Sequence, residues 1–299
     1  MARFLPRTLL AFSSVTLFVD PGFSESVIAD AAPDQISGLG LWLAAADLAR
    51  DHTDGASVTR WPDRSGKGYD AVFEGRIPQA RLQTGFHQAP TFEANALDGQ
   101  PAVAFDADKR QTLILNRAGH ALGQGVSGFT AIFLVRAALA YGPAPAQGIE
   151  WSEDRYLFIT HVSNYDTRIS VKVMQGTGEV QLRSRAVPGE KIQQSSSFSN
   201  GKRAALGRGA WHRLMVTVDY RAKQSRIVID GSAFVHQIPA ATADAFEDVP
   251  SPIAGIGSNT LGDWITCELA EVACYGKALT ADELHSVDAY LCNKYGLSR

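Results

Sequence analysis

The chain has 299 residues, 20% of them charged and 45% hydrophobic, with a formal net charge of −3 at pH 7. These values argue against disordered, fibrous and collagen-like chains and require no basic face, so no nucleic-acid partner is expected. Three cysteines are too few to build a disulfide scaffold.

Arg3 and Arg7 precede an apolar run at 9–19 that is too short to cross a bilayer as a helix. Ala29-Asp30-Ala31 offers a small-x-small cleavage site, so residues 1–31 are expected to be a signal peptide. Residues 32–299 are then the mature chain, secreted, periplasmic or on the cell surface. A tail on a cytoplasmic protein is the alternative. No later segment approaches ~20 apolar residues, so no transmembrane segment is expected in the mature chain.

Strand patterns dominate from residue 100 onward. Residues 101–105 alternate Val103 and Phe105 against Ala102 and Ala104. FTAIFLV at 129–135 has the length of a strand buried on both faces. Further strands are expected at 155–161, 168–174, 179–185, 211–220, 224–230 and 267–275. In these, Ile169, Val171 and Val173 share one face, as do Leu214, Val216 and Val218. Gly176-Thr177-Gly178, Pro188-Gly189, Asn200-Gly201 and Asp230-Gly231 punctuate them, and Asn200-Gly201 is a strong hairpin signal. Between these turns, serine-rich 193–200 reads as an exposed hairpin edge or loop.

Short strands at this spacing without alternating helices indicate an antiparallel sandwich or barrel, in a single domain over 32–299. One helix is marked, at 280–295. Thr280 and Glu283 form a capping box, Leu284, Val287 and Leu291 recur at helical spacing, and Gly296 supplies the stop. Cys267 and Cys274 are an odd number apart, so a regular strand sends them to opposite faces. One disulfide involving Cys292, or three buried free thiols, both fit.

Three stretches carry a resemblance. They are LGLWLAAADLA (39–49) with VTRWPDRSGKGYDA (58–71), WHRLMVTVD (211–219) with RIVIDG (226–231), and the ordered run at 255–297 that ends in AEVACY, the capped helix and KYGL. Together they resemble the bacterial laminin-G-like (LamG) domains of the concanavalin A-like lectin/glucanase superfamily. The resemblance implies an all-β, concanavalin A-like jelly-roll sandwich of two antiparallel sheets with a short C-terminal helix. It further implies a non-catalytic module that binds polysaccharide or an extracellular protein. The superfamily also holds hydrolases and lyases, so an enzyme on the same fold is the alternative, and a purely structural extracellular domain is another.

Retaining glucanases of this fold show three alternating acids on one strand. Here the nearest approach is Glu268 and Glu271, which a regular strand sends to opposite faces. No catalytic residue is assigned. Sugar sites pair an aromatic face with a few polar groups. Two loops offer that set: Trp61 with Asp63 and Arg64, and Trp264 with Asn259 and Asp263. Each tryptophan could instead plug an end of the sandwich, and each aspartate could cap its own turn. No cofactor is assigned. Calcium at Asp63, Asp70 and Asp263 stays open.

Overall fold

The apolar run at 129–135 becomes the middle of a sheet with neighbours on both sides. The computed structural model describes residues 30–74, 87–115, 118–123, 125–138, 154–160, 169–186, 192–199, 201–238, 254–258 and 263–298. Two eight-stranded antiparallel sheets face each other. The first runs Ser232–Gln237, Gln224–Ile229, Trp211–Asp219, Gly128–Ala137, Cys267–Tyr275, Gln100–Phe105 and Thr91–Leu97. Leu39–Ala44 lies beside the far half of Cys267–Tyr275, on the same flank as Gln100–Phe105. The second runs Gln193–Ser196, Val180–Ser184, Ile169–Met174, Asp154–Thr160, Ala254–Ile256, Leu113–Leu115, Ala71–Val72 and Arg60–Trp61.

Side chains alternate across each strand, and this divides the apolar residues between two cores. Phe129, Ala131, Phe133, Val135, Leu214, Val216, Val218, Ile169, Val171 and Val173 fill the space between the sheets. Ile132, Leu134 and Met215 point outward and meet Leu284, Val287, Leu291 and Tyr295 of helix Ala281–Tyr295. The strand at 128–137 is therefore apolar on both faces because a helix covers the outer one. That helix has the expected ends. Thr280 accepts from the Glu283 N–H, Glu283 accepts from the Thr280 N–H, and Gly296 adopts φ +65.

One expectation about faces is overturned. The pairing of Cys267–Tyr275 with Gly128–Ala137 slips between Leu269 and Glu271, a β-bulge at Ala270. One extra residue restores parity across an odd spacing. Cys267, Leu269, Val272 and Cys274 all point into the sandwich core. Glu268 and Glu271 consequently share the outer face. The three cysteines are buried free thiols, and burial pushes Cys267 and Cys274 up, which makes them inert.

Of Asn200-Gly201, Asn200 is outside the described residues, and Gly201 precedes Lys202–Arg203, which pairs with Phe198–Ser199 in a short ribbon. The serine-rich stretch before it is less exposed than its composition suggests. Ser195 and Ser197 are buried, and the Ser197 hydroxyl accepts from the Val180 N–H.

Candidate functional site

Trp61 is 0% exposed, in the core between the sheets, so its ring has no face open to a ligand. The loop behind it is organised by Asp63. Its carboxylate accepts from the N–H groups of Trp42, Ser65 and Tyr69 and from the Ser65 hydroxyl, at 2.7–3.0 Å. Asp70 in turn accepts from the Asp63 N–H and pairs with Arg60. Both aspartates thus aim their oxygens at donors that a calcium ion would have to displace. Arg64 lies with its guanidinium 4.2 Å from the Trp42 ring and 3.4 Å from Asp47. The motif builds a turn and fastens it to the first strand.

The second loop is different. Trp264 is 7% exposed, with His87 tilted against it at 5.9 Å and the Arg110 guanidinium 5.5 Å from its ring. Its buried indole N–H has no partner among the described residues. Asp263 sits at φ +51, a conformation aspartate tolerates, and its carbonyl accepts from the Tyr156 N–H. Asn259 lies outside the described residues. Gly257 at φ +87 opens this loop. A Cβ there would lie 2.5 Å from the Phe105 ring, so only glycine lets the strand pass so close.

The stretches that carry the resemblance meet at one buried carboxylate. Glu271, 2% exposed, accepts from the Trp42 indole N–H (2.6 Å), the Tyr290 and Tyr295 hydroxyls (3.1 and 2.7 Å) and the Lys294 ammonium (2.7 Å). The tryptophan of LGLWLAA, the acid of AEVACY and the Lys-Tyr of KYGL are thus one hydrogen-bonded lock between sheet and helix. Burial, then the nearby Glu271 charge, pushes both tyrosines up, so they remain donors. Their role is to hold the helix against the sheet.

The outer face also holds an open cavity of about 360 Å3, lined by strands on the half of the sheet that leads up to the bulge. Register explains its make-up. Thr91, Ala104, Glu268, Arg136 and Trp211 stand opposite one another in a row across five strands. Ala104 is small, which leaves a depression between its larger neighbours. Arg136 is ion-paired with Glu268 and lies 5.2 Å from the Trp211 ring. Lys109 and Asp106 pair at 3.1 Å on the rim. Glu93, two residues beyond Thr91, also lines the cavity. It has no hydrogen-bond or ion-pair partner among the described residues. Burial and then the Glu268 charge push its carboxyl up.

Sequence reasoning missed this cavity. Residues 91–97 lack a clean strand pattern, and a regular strand at 267–275 would have separated its acids differently. The available signal was the T-F-E alternation of 91–93 beside A-V-A-F of 102–105. The Trp264 loop lies next to the cavity in the chain, because Thr266 and Glu268 follow it and the Thr266 hydroxyl accepts from the Ala107 N–H.

Two facing antiparallel sheets, with a helix over part of the outer face and an open cavity on another part of it, make this a β-sandwich. Solved structures agree at the level of the fold. The binding domain of botulinum neurotoxin serotype G is similar with a TM-score of 0.56 at 14% identity, over 84% of this chain and 50% of that one. The binding domain of botulinum neurotoxin DC, solved in complex with rat synaptotagmin II, gives 0.54 at 13%, over 87% and 52%. The chain therefore spans about half the length of these neighbours. No protein-family model and no curated protein matches it.

Proposed function

We propose that this chain is a secreted, non-catalytic binding module of laminin-G-like type whose ligand is an extracellular carbohydrate. The observation that carries the reading is the 360 Å3 cavity on the outer face, open to solvent and lined by Glu93, Arg136, Glu268 and Lys109. Its volume falls in the range of small-molecule sites, about 300–1,000 Å3, and its mixture of small apolar floor and charged rim suits a hydroxylated ring. The Trp264, Arg110 and His87 cluster adjoins it in the chain, through Thr266 on one side and Lys109 on the other. The sandwich fold shared with two toxin binding domains is compatible with such a role.

A second reading has one observation in its favour. Glu93, whose carboxyl is pushed up, stands near the Arg136-bound Glu268, and acid pairs with divergent environments run hydrolytic chemistry. A glycan array followed by a polysaccharide digestion assay separates the two. Retained binding with no released product is the expected result. Product release that disappears in Glu93→Gln would establish the hydrolase instead.

A further inference from the structure

The charges around the cavity do not balance. Among the described residues that line it, Glu93, Asp106 and Glu268 are acidic and Lys109 and Arg136 are basic. Each base is already committed: Arg136 to Glu268, and Lys109 to Asp106. One carboxylate, Glu93, has no ion pair among the described residues, and the Arg136 charge that reaches it is shared with Glu268. It faces Glu268 and Arg136 across Gln100–Phe105, and Asp54 is the other acid whose charge reaches it. The hydrogen bonds of two neighbouring polar side chains run to the backbone. The Gln111 amide donates to the Ala89 carbonyl while its oxygen accepts from the Asp106 N–H, and the Thr266 hydroxyl accepts from Ala107. The cavity therefore presents one carboxylate without an ion pair beside the depression that the small Ala104 side chain leaves.

We propose that this cavity binds a sugar unit bearing a free amine, with the ligand's ammonium seated against Glu93. The inference rests on the carbohydrate reading above and narrows it to cationic sugars. An ammonium placed there would answer Glu93 and relieve its repulsion with Glu268, which a neutral hydroxyl or an acetylated amine does not do. A divalent cation is a poorer fit. Among the described residues, no three acid, histidine or cysteine side chains converge as metal ligands.

The test uses the whole chain and three probes: a glucosamine oligomer, its N-acetylated counterpart and a neutral glucan oligomer, each titrated calorimetrically at about pH 6, where the amine keeps its proton. Wild type is expected to bind the amine form at least tenfold more tightly than the acetylated one. Glu93→Gln is nearly the same shape and is expected to abolish that preference while leaving affinity for the other two probes within twofold. Glu93→Gln should fold, since a charge held against burial and a like charge is removed. Glu93→Ala is the second variant, and it should lose the same preference. Equal affinity for amine and acetylated forms, or a preference that survives both variants, overturns the inference and leaves the carbohydrate reading standing. Absence of binding to all three, with a positive hit elsewhere on a glycan array, also overturns it. Absence of any carbohydrate binding overturns both.

Discussion

Glu271 accepts from four side chains, three of them more than 20 residues away in the chain, the farthest at 229. Removing its carboxylate leaves the Lys294 ammonium without an acid and strands the indole N–H of Trp42. Glu271→Ala is expected to cost about 3–5 kcal/mol, the range for breaking one side of a buried ion pair. The Lys294 side chain is 22% exposed, so the lower end is expected. Urea midpoints measure it, and a double substitution with Lys294→Met should recover part of the loss.

Asp230 gives a pH-dependent counterpart. Burial alone would raise its carboxyl, yet the hydrogen bonds from His212 and from the Arg213 N–H outweigh burial and hold it low. The His212 Nε2 accepts from the Gly207 N–H, so its Nδ1 carries the proton that Asp230 receives. A carboxyl lower in the folded state than in the unfolded one adds stability that is present above the unfolded value, about 3.9, and lost as pH falls through the folded one. Asp230→Asn should therefore lower the urea midpoint at neutral pH, and the gap from wild type should close below about pH 4. A gap of constant size across that window would show that the hydrogen bonds, not the charge, matter.

Asp263 tests the loop that the sequence offered as a site. Asparagine tolerates positive φ as well as aspartate does, so Asp263→Asn is expected to leave the melting temperature unchanged within about two degrees. A fall in glycan affinity in that variant would place the side chain at the ligand.

At the scale of elements, the helix shows what patterning can and cannot deliver. Leu284, Val287 and Leu291 were legible as one stripe, and the capping box and glycine stop marked both ends. Leu291 is 1% exposed and packs against the outer face of the first sheet. Leu291→Ala is expected to cost about 2–5 kcal/mol by thermal or urea melting, and a midpoint within a degree of wild type would mean that the helix adds nothing. The long alternating strands were legible for the same reason, since period two survives wherever one face is buried. The bulge at Ala270 was not. Nothing in CELAEVACY announces an extra residue, because the slip is chosen by partners in Gly128–Ala137 that are distant in sequence. Two-residue strands such as Arg60–Trp61 and Ala71–Val72 were also invisible, being shorter than any periodic window.

For the molecule as a whole, the sandwich could be read from the sequence and the cavity could not. Strand number, turns and composition state the architecture locally. A cavity depends on which residues stand opposite one another across five strands, and register is a property of the assembled sheet. The same distinction explains Trp61 and Trp264. Both stand in polar, glycine-rich sequence, yet Trp61 ends a short strand and is sealed between the sheets, while Trp264 is flanked by His87 and Arg110.

The place of Cys267–Tyr275 has a consequence in time. It follows every other described strand in the chain, yet it stands inside its sheet, between Gly128–Ala137 on one side and both Gln100–Phe105 and Leu39–Ala44 on the other. A nascent chain that has emerged only to residue 266 holds that sheet in separate pieces: four strands ending at Gly128–Ala137, the hairpin of Thr91–Leu97 with Gln100–Phe105, and Leu39–Ala44 alone. Until the ribosome delivers the closing strand, Gly128–Ala137 offers an open, strongly apolar edge to any other chain nearby.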